Sequence, residues 1–328
     1  MSQFYFSHIV LIQSTFTVLL LALSIQVQFR MGVFSFAGAG FYGIGAYGAS
    51  MLVLHADFDS VSAIVTITLI CGLIGYLLAL VVQRLSGLHL AMATVSFTMI
   101  LTVIAHNGGE WTGGSVGLFG VMAFPMMTVE ALAIICLVVV GLAVLSERGR
   151  LGRRIEAVRE DPELASAMGI SVPRYRIASF VISGILGALG GSLNVLMMTA
   201  IAPESIGFPL IVLALTIIIV GGSRSWLGVL IGALIFTWLP VVLEQVGTYQ
   251  AIVYGCIVAV AAVYMPGGIV GVVTDVYRKY AARRVQDGGE ATVASAAAEN
   301  TPSTAEHKLV EELTGSSGND TVTTGERP

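Results

Sequence analysis

Nine apolar stretches take up most of residues 9–273 of this chain, separated by short polar joints. They run 9–28, 32–54, 61–83, 87–105, 128–145, 177–199, 206–220, 227–245 and 251–273. A bilayer core about 30 Å thick is crossed by roughly 20 apolar residues of helix. In lipid, only helices and closed barrels satisfy every backbone polar group. The expected fold is therefore all-α: a polytopic membrane helical bundle of about nine transmembrane helices. The charges orient it. All sixteen Lys and Arg residues fall on one side of these stretches. Arg30 and Arg84 follow the first and third, seven arginines from Arg148 to Arg176 follow the fifth, Arg224 follows the seventh, and the rest follow the ninth. The opposite joints carry Asp57, Asp59, Glu110 and Glu204 but no Lys or Arg. Basic residues accumulate in cytoplasmic loops, so the N-terminus is expected outside and the C-terminus inside.

Composition agrees. Soluble domains are about 45–50% apolar and about 25% charged; this chain is 56% hydrophobic and 11% charged. A water-soluble enzyme could not hide nine such runs, and nucleic acid is not an expected partner. Cys71, Cys136 and Cys256 lie singly in separate stretches, which suits packing rather than zinc or a disulfide framework. The five histidines form no helical pair, so no metal is expected. The first apolar run has no basic residue before it, unlike a secretory signal, and is read as a retained helix. The expected organisation is a transmembrane domain over 1–280, a cytoplasmic loop over 146–176 within it, and a disordered, cytoplasmic Ala/Ser/Thr/Glu-rich tail over 286–328.

Small residues crowd several stretches. Gly40, Gly43 and Gly45 lie in the second, Gly187 and Gly191 in the sixth, and Gly228 and Gly232 in the eighth. Four-residue spacing puts them on one helix face and lets backbones approach. The plain reading is tight packing; the functional one is a bundle that slides around a passage. After the fourth stretch comes a polar, Gly-rich segment with Asn107, Thr112, Gly113, Gly114 and Ser115, then an apolar piece, 118–127, too short to span. It is either a surface loop or a segment dipping into the outer face, where a solute could meet free amides. No Asp, Glu, Lys or Arg occupies the middle of any stretch, so an intramembrane ion or proton relay is not expected. There is no phosphate-binding G-x-x-x-x-G-K-[ST], and the first lysine is Lys279, so the chain is not expected to hydrolyse ATP.

The loop 146–176 contains one locally specified helix. Asp161 suits the N-cap, Pro162 the first helical position, Glu163 the positive helix end, and Gly169 the left-handed position after the last turn. Between these caps Leu164 and Met168, four apart, share a face. The spacing predicts a two-turn helix whose apolar face docks a cytoplasmic partner, with Arg159 and Glu163 offering charge. An ordinary amphipathic surface helix is the plainer alternative.

Glu163-x-Ala165-x-x-x-Gly169 resembles the coupling motif of ABC importer permeases. The wider run from Gly152-Arg153 through Arg159-Glu160-Asp161 to Met168-Gly169-Ile170 resembles the LivM type, permeases of branched-chain amino acid ABC transporters. Phe34-Ser35 through Tyr47 is similar to that family's Gly-rich second helix. Thr112-Gly113-Gly114-Ser115-x-Gly117-Leu118 resembles its T-G-G-S-x-G-L element, Gly221-Gly222-Ser223-Arg224-Ser225-Trp226-x-Gly228 its late glycine turn, and Pro266-x-Gly268-Ile269-x-Gly271 its ending. The resemblance covers about 29–273. It implies a bacterial inner-membrane subunit that works with a homologous permease subunit, two ABC ATPase subunits and an extracytoplasmic solute-binding protein, with ATP bound by the partners and no cofactor by this chain. It also implies that Arg159, Asp161, Glu163, Leu164, Ala165, Met168 and Gly169 couple to the ATPase. A stand-alone channel using the 107–117 segment as a filter is the alternative; a channel has no need of a capped cytoplasmic helix.

Overall fold

The structure, a computed structural model, describes residues 8–264 apart from 123 and 224, together with Gly268 and Gly271. These residues lie in one compact unit, Met1–Val272. Arg224 and the expected disordered tail over 286–328 lie outside the described residues.

Eleven α-helices follow one another along the described chain. They are α1 (Ile9–Arg30), α2 (Ala37–Ala56), α3 (Ser60–Val82), α4 (Gly87–Asn107), α5 (Val129–Glu147), α6 (Gly149–Glu160), α7 (Pro162–Ala167), α8 (Val172–Met198), α9 (Phe208–Gly221), α10 (Trp226–Val242) and α11 (Gln250–Tyr264). Seven segments are long and apolar enough to cross a membrane: α1 to α5, α8, and Pro203–Gly221, which joins a 3-10 turn to α9. Trp226–Val242 and Ile252–Ala261 are shorter apolar helices. The nine expected spans thus become seven helices of crossing length and two shorter ones among the described residues.

The sixth stretch, expected from 177, starts earlier, α8 beginning at Val172, and two further boundaries differ from expectation for identifiable reasons. The second stretch was expected to be helical from 32, but α2 begins at Ala37. Gly32 has a φ of +72°, the Phe36 N–H donates to Thr94 Oγ1 at 3.0 Å, and the Ala37 N–H donates to Ser35 Oγ at 3.3 Å. Side-chain oxygens there take the place of the missing intrahelical acceptors. The eighth stretch was expected to continue to 245, but α10 stops at Val242, two residues past Pro240. Proline has no N–H to extend the ladder, and the chain goes on as a 3-10 helix broken at Gly247 (φ 62°, ψ −130°).

The 27-residue α8 is the axis of the bundle. It packs most extensively on α2, α3 and α1, and small residues bring the backbones together. A methyl added at Gly187 would sit 2.8 Å from the Gly38 carbonyl oxygen, and one at Gly191 would overlap the Tyr42 carbonyl. Gly45 faces the Ala188 backbone, and a methyl on Gly75 would lie 2.6 Å from the Phe180 carbonyl oxygen. In α10, Gly228 abuts the Gly221 carbonyl and Gly232 the Ile217 carbonyl, at 2.7 Å for an added methyl. Gly40 and Gly43 meet side chains instead, Phe97 and Ile206. Without a hydrophobic drive between helices in lipid, such close approach supplies the association through dispersion contacts. In the most apolar window of α2, 72% is buried, against 17% for α5, so α2 is central and α5 peripheral.

The segment after α4 lies across one end of the bundle. Residues Gly109–Trp111 form a 3-10 turn, and the His55 and Trp111 rings stack with centroids 5.0 Å apart. Strand β1 (Leu118–Phe119) pairs antiparallel with β2 (Ala200–Ile201), in register Leu118↔Ile201 and Phe119↔Ala200. The Val121 N–H donates to the Thr199 carbonyl at 3.1 Å, and the Ser60 N–H to the Phe124 carbonyl at 3.2 Å. The segment is therefore sewn to the α2–α3 and α8–α9 connections. The arginine-rich connections collect at the opposite end, where Val82, Leu90 and Ile155 share one apolar cluster.

Candidate functional site

The segment between α5 and α8 is two helices at a sharp corner, not one. The sequence reading missed α6, whose apolar residues are sparse among arginines. Its buried Ile155 and Val158, three apart, were the available signal. Asp161 ends α6 and caps α7: its Oδ1 accepts from the Glu163 N–H at 3.0 Å and the Leu164 N–H at 2.9 Å. Pro162 occupies the first turn. At the other end the Gly169 N–H donates to the Ser166 carbonyl and the Ile170 N–H to the Ala165 carbonyl, both at 3.0 Å. Gly169 has a φ of +82°. Those two bonds and that left-handed residue make a Schellman cap, which satisfies carbonyls the short helix leaves open.

The caps fix which face is free. Ala165 is fully buried in a small cluster with Val158 and Val172, against which Ile170 and Tyr175 pack. Leu164 and Met168 stay 56% and 62% exposed. Glu163 is exposed as well. Arg159 stands apart from this face: it lies at the end of α6, and its Nη2 donates to Ser223 Oγ at 3.3 Å. Its guanidinium is directed back into its own chain rather than alongside Glu163.

At the opposite end, a cavity of about 210 Å³ opens between α2 and α4, lined by Ile44, Tyr47, Met51, Leu101, Thr112 and Ile206 among others. Its wall is almost wholly apolar. The buried Tyr47 hydroxyl has no hydrogen-bond partner among the described residues. Of the residues expected on a solute path, Thr112 lines this cavity. Asn107 is exposed, with its Nδ2 donating to the Val103 carbonyl at 2.8 Å. Gly113 and Gly114 have positive φ, and the Gly114 N–H donates to Thr112 Oγ1 at 3.4 Å. Ser115 is exposed. These glycines shape the turn that places Thr112. Among the described residues no group of His, Cys, Asp or Glu is arranged to hold a metal ion.

A bundle of apolar helices, knit by backbone contacts and with seven segments of crossing length among the described residues, defines a polytopic membrane protein. The chain matches the family model for the branched-chain amino acid transport system permease component over residues 9–263, and it belongs to that family. It is similar to the high-affinity branched-chain amino acid transport system permease protein LivM of Salmonella typhimurium, 26% identical over 288 residues, covering 78% of this chain and 68% of the relative. LivM of Escherichia coli K12 is similar to the same degree. The probable branched-chain amino acid transport permease protein LivH of Methanocaldococcus jannaschii is 29% identical over 233 residues, 66% of this chain and 73% of the relative. No solved structure matches. As a membrane transport subunit of this family the chain is not itself an enzyme, and it is a multi-pass inner-membrane protein.

Proposed function

We propose that this chain is a permease subunit of an ATP-driven ABC importer for branched-chain amino acids, and that α7 is the element its ATPase grips. The carrying observation is the geometry of α7. Both ends are capped, its inner face is seated on Val158 and Val172, and Leu164 and Met168 remain exposed beside Glu163. A helix held this firmly with an apolar outer face suits a protein partner that must push on it. The partners are a homologous permease subunit, two ATPases and a solute-binding protein, with ATP bound on the ATPases. The one-sided charges favour a cytoplasmic position for the arginine-rich end. At the other end, the apolar cavity beside Thr112 and Tyr47 is offered as a niche for a branched aliphatic side chain.

The test is co-purification. Met168→Asp places a charge in the contact, at a cost of about 3 kcal/mol if the position becomes buried. That corresponds to roughly a hundredfold weaker assembly. The variant should insert normally and lose the ATPase; normal retention and transport would remove α7 from the coupling role. The niche is tested by Met51→Trp, which fills it. Leucine uptake should fall well below alanine uptake, and an equal fall in both would refute the niche.

A further inference from the structure

Both ends of α6 are fastened to one place, the turn between α9 and α10. At the near end stands Glu147, the last residue of α5. Its Oε1 pairs with Arg30 Nη1 of α1 at 3.1 Å, the two side chains being 24% and 14% exposed. The same oxygen accepts the backbone N–H of Trp226, the first residue of α10, at 3.2 Å. At the far end stands Arg159, immediately before the residues that cap α7. Its Nη2 donates to Ser223 Oγ at 3.3 Å. Gln26 of α1 reaches the Ser223 carbonyl with its Nε2 at 3.5 Å. Ser223 and Trp226 are thus held from α1, α5 and α6 together.

The helices on either side of this turn approach closely. A methyl on Gly221 would overlap the Gly228 carbonyl, and one on Gly228 the Gly221 carbonyl. The two helices of this hairpin are therefore in backbone contact just beyond the turn. The other side of Arg159 is equally close: a methyl on Gly32 would lie 3.2 Å from the Arg159 Cα. Residue 159 is wedged between the α1–α2 connection and the α9–α10 turn. A displacement of α7 has little room to be absorbed at Asp161, since Asp161 is both the end of α6 and the cap of α7.

We infer that Arg159 and Glu147 are positioning residues that carry motion of α7 into the α9–α10 hairpin, with Ser223 and the Trp226 N–H as the points where it is received. The inference rests on the reading that α7 docks an ATPase. It assigns Arg159 to transmission inside this chain, whereas Leu164 and Met168 face the partner. Removing the Arg159 contact should leave docking intact and separate it from the response of the membrane helices.

The experiment uses the whole transporter, purified through a tag on this chain, with the exposed Cys256 replaced by Ser. Spin labels are placed at position 89 as reference and at either position 166 or position 227, all exposed. Distances are measured before and after adding ATP and vanadate. In the otherwise native complex both distances should change. In Arg159→Ala and in the milder Ser223→Ala, the ATPase should remain bound and the 89–166 change should persist, while the 89–227 change falls at least fivefold. Arg159→Lys should keep about half of it. An unaltered 89–227 change in both variants overturns the inference. So does loss of the ATPase from Arg159→Ala, which would make Arg159 a docking contact. Failure of the importer reading is distinguishable: it shows as an ATPase that Met168→Asp retains, whatever happens at residue 227.

Discussion

Gly169 shows how much a single backbone angle carries here. Its φ of +82° lies where L side chains are disfavoured, yet nothing stands within 4 Å of where a side chain would project. The constraint is therefore conformational and not steric. A left-handed residue with a Cβ costs roughly 1–2 kcal/mol, and a β-branched one more, whereas Asn tolerates the region. Gly169→Val should loosen the cap and weaken ATPase retention several-fold, while Gly169→Asn should hold it within about twofold. Quantitative pull-down at matched expression checks both; equal behaviour of the two variants would show that the cap geometry is irrelevant to docking. The Asp161–Pro162–Gly169 set was legible in the sequence because caps are local chemistry. The Arg30–Glu147 pair was not, because nothing local ties a lone charge at the end of one span to a lone charge four spans later.

At the level of elements, the apolar runs located every helix of the bundle core, since the lipid-facing and buried sides are both apolar and only length and punctuation matter. Ends were harder. The start of α2 depends on Thr94 from another helix, and the end of α10 on what Pro240 and Gly247 do to the ladder. The β1–β2 ribbon was invisible, because two residues cannot display an alternating pattern and their partners are far along the chain. Helix α6 was missed because its two buried side chains are too few to outweigh the arginines around them. The glycine faces were legible as spacing, but not which backbone each one meets. Gly191 makes the sharpest case, lying against the Tyr42 carbonyl of α2. Gly191→Val must separate α2 from α8 or distort both. Overpacking of this kind costs about 1–3 kcal/mol, occasionally more. Thermal unfolding in detergent should show a clearly lowered midpoint, and Gly141→Val, on the open face of α5 where a methyl meets nothing, should not. Matching midpoints would contradict the interlocked packing.

For the molecule as a whole, the structure sorts the polar connections to two ends, and the one-sided basic residues predict which end is cytoplasmic. Cysteine at position 205 or 59 should react with a membrane-impermeant maleimide in intact cells, and cysteine at 86 or 166 should react only after permeabilisation. All four positions are exposed, so silence cannot be blamed on burial. Labelling of 166 in intact cells would invert the orientation and take α7 away from any cytoplasmic ATPase. The two ends of the bundle differ: an apolar cavity lined by Tyr47 and Thr112 among others lies at one, and the doubly capped α7 with its exposed Leu164 and Met168 lies at the other. Between them runs the α2–α8 contact, made largely by backbone at its closest points.

That same contact has a consequence for biosynthesis. The chain emerges from the ribosome in order, so α1, α2 and α3 enter the membrane long before α8 exists. The close-packed faces of α2 and α3 at Gly45 and Gly75 are made for a helix that has not yet been synthesised. Nor can α1 complete its inner end until Glu147 and Ser223 arrive, or β1 find its strand before Ile201 does. Until α8 is delivered, α1, α2 and α3 lack the helix on which each packs most extensively. Insertion of the α8 segment is thus the step that supplies the three early helices with their shared partner.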